Sequence, residues 1–120
     1  MGFTSWANVK GVRVNDALVR RLVYGRNAML VESQMAAGSC APDHAHPHEQ
    51  LLYVGEGLIE VTIGDERRMM SVGDVGVIPS NCNHAVKVVS AGGAVVYDVF
   101  SPIREDFIEE AARADLQDGK

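Results

Sequence analysis

Apolar and polar residues alternate along most of this chain in short runs, which is the pattern of half-buried β-strands. Glycine-containing turns separate the runs, and alternation of this kind predicts strands rather than helices. Short strands at such regular spacing are typical of a closed barrel or a jelly roll. We therefore predict one all-β domain over residues 1–120, with strands near 17–24, 28–37, 51–54, 58–63, 67–72, 75–78, 84–89 and 94–100.

The pattern changes after residue 100, where apolar residues recur near helical spacing. Ser101-Pro102 is a favourable N-cap followed by a first-turn proline, and Glu105 and Asp106 suit the start of a helix. We predict a short C-terminal helix with one face on the barrel. Its apolar face consists of Ile103, Phe107, Ile108, Ala111, Ala112 and Leu116.

Composition narrows the class of protein. The chain has 120 residues, 47% of them hydrophobic, which is enough for a packed core. Its net charge of −5 disfavours a nucleic-acid surface, because such surfaces are basic. The first residues lack the basic start and apolar run of a signal peptide, and no segment is long and apolar enough to span a membrane. We expect a cytoplasmic protein with no membrane partner.

Three of the four histidines fall within five positions, at His44, His46 and His48. Alternate strand residues share a face, so the first two can present their imidazoles to one point. Gln50 would lie roughly 20 Å from His44 on a straight strand, so the chain must turn between them, and Pro47 suits that corner. The other interpretation is a solvated, histidine-rich turn without a metal.

Two cysteines, Cys40 and Cys82, do not make a disulfide framework. Both precede candidate ligands in sequence, so thiolate ligation is one reading. Small buried thiols are the commoner case.

The glycine and proline spacing around the histidines resembles the two cupin motifs, across residues 38–88. The resemblance implies a cupin double-stranded β-helix, that is, a jelly-roll barrel. The first motif corresponds to Gly38, five residues, His44-x-His46, three residues, Gln50, six residues and Gly57; fifteen residues later, the second corresponds to Gly73, five residues, Pro79 and then His84.

Three positions depart from the usual cupin pattern. Gln50 stands where the first motif usually has Glu, and Asn81 and Val88 replace a Gly and an Asn of the second. Asn81 can still adopt the left-handed backbone that the turn needs. Gln50 matters more, because a neutral ligand leaves a divalent ion its full charge toward an anionic substrate. Oxygen-activating iron cupins more often use the carboxylate, which disfavours a dioxygenase.

A narrower resemblance joins residues 46–50 with residues 98–107, which together look like the pectin-degradation cupins of the KdgF type. That family opens unsaturated uronate monosaccharides from pectin or alginate into linear ketones, and it implies a small anionic sugar as the ligand. The resemblance implies a divalent metal (Zn, Ni, Fe, Mn or Co) held by His44, His46, Gln50 and His84. It also implies that Asp98, Phe100 and Arg104 are the catalytic residues.

The reaction needs a proton shuttle and a cationic anchor. We expect Asp98 to be the shuttle and Arg104 to bind the substrate carboxylate. Each has a simpler explanation. Asp98 can be a surface or turn-capping acid, Phe100 a core residue, and Arg104 a partner of Glu105, Asp106 or solvent.

Other functions fit the same residues. The alternatives are another metal-dependent cupin enzyme, such as a dioxygenase, sugar isomerase or epimerase, and a non-catalytic sugar-binding cupin. Small cupins commonly dimerise, so we expect a homodimer.

Overall fold

The computed structural model describes residues 2–118, with side chains up to residue 114. Within that range the chain forms ten β-strands and one α-helix, after a short 3-10 turn at Trp6–Asn8. The elements are β1 (Val12–Asn15), β2 (Leu18–Tyr24), β3 (Met29–Met35), β4 (Cys40–His44), β5 (Glu49–Glu56), β6 (Ile59–Ile63), β7 (Glu66–Met70), β8 (Val75–Ile78), β9 (His84–Val88), β10 (Ala94–Ser101) and α1 (Glu105–Asp118).

The strands form two antiparallel sheets. The larger has the order β1-β2-β3-β10-β5-β8 and the smaller has the order β4-β9-β6-β7. Apolar residues of both sheets pack into one cluster between them. Two packed antiparallel sheets followed by helix α1 confirm the predicted jelly roll with a C-terminal helix. The cluster is formed by Leu52, Val54, Ile59, Val61, Met70, Ile78, Val88, Ala94 and Val96.

Strand β10 lies inside the larger sheet and pairs with both β3 and β5. Because successive strand residues point to opposite faces, its alternate residues Ala94, Val96, Asp98 and Phe100 are buried. An acid and an aromatic ring therefore share the interior face with aliphatic side chains.

The predicted N-cap at Ser101 is wrong, because helix α1 begins only at Glu105. Ser101 still belongs to β10, where it pairs with Glu49, and its hydroxyl donates to the Asn27 carbonyl at 2.9 Å. The carbonyl of Arg104 instead accepts the first amide hydrogen bonds of the helix. In residues 2–118, no helix combines the length and apolar character that crossing a lipid bilayer requires.

The helix packs on the barrel through the apolar face that its spacing predicted. Ile103, Phe107 and Ile108 contact a small buried cluster around Phe100. The Leu116 side chain lies outside the described residues.

Two turns match the backbone expected from sequence. Gly64, with φ +59°, lies between the paired residues Ile63 and Glu66, and this confirms the predicted hairpin. Asn81 has φ 62°, so it adopts the left-handed conformation predicted for the position where cupins usually have glycine.

Gly57 and Gly73 provide a matched test of how tightly this fold is packed. Both have positive φ, +87° and +92°. A Cβ at Gly57 would overlap the Gly93 carbonyl oxygen and lie 2.8 Å from Ser90 Oγ, whereas one at Gly73 would meet nothing within 4 Å. Gly73→Ala should lower the free energy of unfolding by about 1–2 kcal/mol through backbone strain. Gly57→Ala should cost about 1–3 kcal/mol more, since the overlap adds to that strain. Denaturant unfolding of both variants checks this, and equal losses would contradict it.

Candidate metal site and catalytic cavity

Three histidines converge at one end of the barrel. His44 ends β4 and His84 begins β9, and the two residues are cross-strand partners with ring centroids 4.2 Å apart. His46 lies in the loop that follows β4, so the expected strand alternation from His44 to His46 is wrong. The loop nevertheless returns His46 to the others, and the candidate ligand atoms of all three lie within 4.8 Å of one another.

A backbone carbonyl holds each of these rings through Nδ1. A hydrogen bond of this kind places the proton on Nδ1 and leaves the Nε2 lone pair for a metal. Carbonyl anchoring is the usual support for a histidine ligand, so this arrangement favours the metal site over a solvated turn. The three bonds are His44 to Pro42 at 2.8 Å, His46 to His48 at 3.0 Å, and His84 to Cys82 at 2.9 Å.

Gln50, the second residue of β5, provides a further test of metal fit. Its Nε2 donates to Asp98 Oδ1 at 2.7 Å, which turns its Oε1 toward His46 Nε2 at 3.0 Å. With the His46 proton on Nδ1, these two atoms face each other with lone pairs and repel. Burial lowers the pKa of His46, so a second ring proton, which would remove this repulsion, is disfavoured. A cation bound to both atoms removes the conflict, so the residues fit a divalent metal.

The neighbouring candidates do not join this cluster. His48 is half-buried outside it, and no hydrogen-bond partner for its Nδ1 occurs among the described residues. Cys40 is exposed, and the half-buried Cys82 thiol donates to the Asn83 carbonyl at 3.6 Å. The structure therefore offers imidazole and amide ligands rather than thiolates.

Asp98 is buried at the centre of the site, with 9% of its surface exposed. Burial raises its pKa to about 6, although the hydrogen bond from Gln50 and the positive charges of Arg20 and Arg104 work in the opposite direction. The surface-acid alternative for Asp98 is wrong, because alternation along β10 places this carboxyl inside the barrel.

Arg104 lies immediately before α1 and is largely buried, with 11% of its side chain exposed. Its Nε and Nη2 donate to the two carboxylate oxygens of Asp106 at 3.1 and 2.9 Å. Its guanidinium carbon lies 4.8 Å from the ring centroid of Phe100 and 4.0 Å from that of Phe107. The simpler explanation of Arg104 as a partner of Asp106 is therefore present in the structure. The hydrogen bonds from Arg104 keep the pKa of Asp106 below its ordinary value.

Phe100 belongs both to the core and to the site. It packs with Met29 and Val31 in the cluster beneath the helix. Its ring also meets the ring of His46 edge-on, with centroids 5.7 Å apart. The explanation of Phe100 as a core residue is therefore confirmed. Its ring also lies beside His46, where a ligand can contact it.

A cavity of about 200 Å³ opens beside these groups. Six of the seven predicted site residues line it, and His46 contacts the cavity residue Gln50. Sequence reasoning missed Arg20, Ser33 and Phe107. The sequence did carry a signal for Arg20, because this charged residue lies on the same face of β2 as Leu18 and Leu22. The six predicted lining residues are His44, Gln50, His84, Asp98, Phe100 and Arg104.

We expect the purified protein to hold about one divalent metal ion per chain. His44→Ala or His84→Ala should weaken metal affinity by at least about 100-fold, because losing even an outer-shell partner of a ligand typically costs 10–100-fold. His48→Ala is the matched control and should bind metal as the wild type does, since the His46 ring is held by the backbone of residue 48. Gln50→Glu should also retain metal.

Metal analysis and competition with a chelator measure these affinities. Full occupancy in both the His44→Ala and His84→Ala proteins would contradict the site.

Comparison with known proteins places these features in a family. Residues 31–100 match the model of the cupin domain. The pectin degradation protein KdgF of Dickeya dadantii is 34% identical to this chain over 97 residues, which cover 79% of this chain and 87% of that protein.

Solved structures agree with the sequence match. The structure of KdgF from Halomonas sp. aligns with a TM-score of 0.83 and 28% identity, over 89% of this chain and 98% of that one. An RmlC-like cupin from Shewanella frigidimarina aligns with a TM-score of 0.83 and 27% identity, over 89% of this chain and 96% of that one.

Proposed function

The chain belongs to the cupin family, and we propose that it opens the ring of 4,5-unsaturated uronate monosaccharides released from pectin or alginate, yielding linear ketones. The observation that carries this proposal is the buried Asp98 carboxyl, hydrogen-bonded to Gln50 between a histidine cluster and two arginines. The likeness to KdgF, a pectin degradation protein, supports the same substrate class.

The charge and size of the cavity support a small acidic ligand. Arg20 and Arg104 line it with Asp98 as the only carboxylate among its lining residues, although the whole chain carries a net charge of −5. A volume of about 200 Å³ lies below the ~300–1,000 Å³ typical of drug-sized ligands. These properties favour a monosaccharide acid over an oligosaccharide.

His44, His46, Gln50 and His84 would hold one divalent ion. When bound, the ion supplies Lewis acidity toward the substrate oxygens. Imidazole and amide ligands are neutral, so none of the four reduces that acidity by its own charge.

Asp98 would move the proton. Its carboxylate accepts the proton of the anomeric hydroxyl while the bond from the anomeric carbon to the ring oxygen breaks, which leaves an aldehyde and an enolate. Asp98 then returns the proton to the former alkene carbon, which gives the ketone, so the reaction is an isomerisation with no redox change. A pKa of about 6 suits a group that must both accept and release a proton near neutral pH.

Arg104 and Phe100 would orient the substrate. Arg104 places its positive charge close to Phe100, where it attracts an anionic group of the ligand. The Phe100 ring provides an apolar wall beside the histidine cluster. Phe100 shares the buried face of β10 with Asp98 and so contributes to the burial that raises the pKa of Asp98.

We further propose that the protein acts as a homodimer. The outer face of the larger sheet supports this, because Leu51, Val75 and Val77 are 45%, 72% and 59% exposed there. A cytoplasmic location stays a prediction from sequence.

Asp98→Asn should abolish most of the turnover and leave metal content and folding intact. Asparagine keeps the shape but cannot accept and return a proton, and a placed proton-transfer group is typically worth about 10²–10⁴ in rate. Loss of the near-ultraviolet absorbance of lyase-released unsaturated monomers measures turnover, because ketonisation removes the conjugated alkene. Glu32→Gln is the matched control, since Glu32 is a buried acid (8% exposed) that does not line the cavity.

A binding protein would give a different result. If wild type and Asp98→Asn both bind the monomer, yet both bleach it no faster than buffer, the chain is a sugar-binding cupin and the proposed reaction is wrong.

Turnover should be independent of oxygen. Ring opening consumes no oxidant, so the protein loaded with redox-inert Zn should act at the same rate under anaerobic conditions. An oxygen electrode checks this during product formation. Oxygen uptake in proportion to product, with a requirement for ferrous iron, would favour a dioxygenase instead.

A further inference from the structure

Arg20 is a second, largely buried cation in the cavity, and the steps of the proposed reaction give it no specific role. It lies on β2 opposite Ser33 of β3, and both residues line the cavity. The Arg20 side chain is 14% exposed and Ser33 is 7% exposed. A hydroxyl and a largely buried guanidinium that line the same cavity offer hydrogen-bond donors to the oxygen atoms of a ligand.

The two cavity arginines differ in which of their N–H groups already donate to a carboxylate. Arg104 already commits Nε and Nη2 to Asp106. Within the described part of the chain, Arg20 donates only through Nη1, to Glu110 Oε1 at 2.7 Å. Nε and Nη2 together form the edge of a guanidinium that matches a carboxylate with two parallel hydrogen bonds. In Arg104 that edge donates to Asp106, whereas no described residue accepts a hydrogen bond from the same edge of Arg20.

The surroundings of Arg20 hold its guanidinium in one place. Its Cζ lies 3.6 Å from the ring centroid of Phe107, and the ion pair with Glu110 ties it to helix α1. A guanidinium fixed in this way loses little conformational entropy on binding a ligand. Burial lowers the pKa of Arg20, with Arg104 adding repulsion, so an incoming anion relieves an electrostatic cost at this position.

We propose that Arg20 binds the carboxylate of the ligand through Nε and Nη2, with the Ser33 hydroxyl donating a further hydrogen bond. Arg104 then contributes positive charge and its remaining amino donor. Arg20 thereby determines specificity for an acid over a neutral sugar. The choice of a uronate as that acid rests on the proposed function.

The competing explanation is that Arg20 only fastens helix α1 to the barrel through Glu110. Arg20→Gln and Glu110→Gln both remove that ion pair, so a fastening role predicts similar effects from both substitutions. A recognition role predicts opposite effects. Removing Arg20 deletes the ligand's partner, whereas Glu110→Gln removes a competing anion and leaves Arg20 held by its packing on the Phe107 ring.

Calorimetric titration of metal-loaded protein with galacturonate, a saturated uronate that lacks the reactive alkene, tests this. Arg20→Gln should weaken binding about 10- to 100-fold, the range expected for losing charged hydrogen bonds. Glu110→Gln should bind galacturonate as tightly as wild type or more tightly. Arg20→Lys should fall between wild type and Arg20→Gln, because it keeps the charge but cannot bind in the paired geometry.

Thermal unfolding of the same proteins separates stability from recognition. Arg20→Gln and Glu110→Gln should lose similar stability while their affinities diverge. Equal affinity losses in the two variants, or an Arg20→Gln protein that binds galacturonate like wild type, would overturn the inference. So would wild-type protein that binds neither galacturonate nor acetate. If binding depends on Arg20 but unsaturated monomers are not consumed, the proposed reaction fails and the role of Arg20 stands.

Discussion

The hydrogen bond from Gln50 to Asp98 is the interaction on which the site depends. A carboxylate buried in an apolar barrel is unstable unless donors surround it, and desolvation of such a charge costs several kcal/mol. Gln50 supplies a donor at 2.7 Å from the neighbouring strand β5. The same amide presents its oxygen to His46, so one side chain joins the metal cluster to the acid.

This bond gives a physical reason for glutamine where the usual cupin motif has glutamate. A glutamate at position 50 would set two carboxylates against each other at hydrogen-bond distance, and one of them would have to be protonated. The amide avoids that repulsion and leaves Asp98 free to exchange its own proton. Gln50 and Asp98 are therefore best understood as one unit, in which the identity of one constrains the other.

The cavity concentrates positive charge in an acidic protein. Two arginines approach the ring of Phe107, to within 3.6 and 4.0 Å of its centroid, and each has a carboxylate partner on or near the helix. These partners, Glu110 and Asp106, do not line the cavity, so the positive groups face inward and the acidic side chains lie outside. Helix α1 thus contributes Phe107 to the cavity wall and carries the acidic partners of both arginines outside it.

Local pattern by itself predicted eight of the ten strands, the hairpin at Gly64 and a shared face for Asp98 and Phe100, because two-residue alternation and unusual backbone angles can be read along the chain. It missed β1 and β4, and the full ligand set and the turn at Asn81 were predicted from the spacing of the cupin motifs. It failed at Ser101, because continued pairing of β10 outweighs a favourable cap. Only the tertiary structure decided that Arg20 meets Glu110, 90 positions away, and that Ser33 faces the same cavity. Such contacts arise from the order of strands in the sheet and the packing of the helix on it, and no short stretch of sequence contains that information.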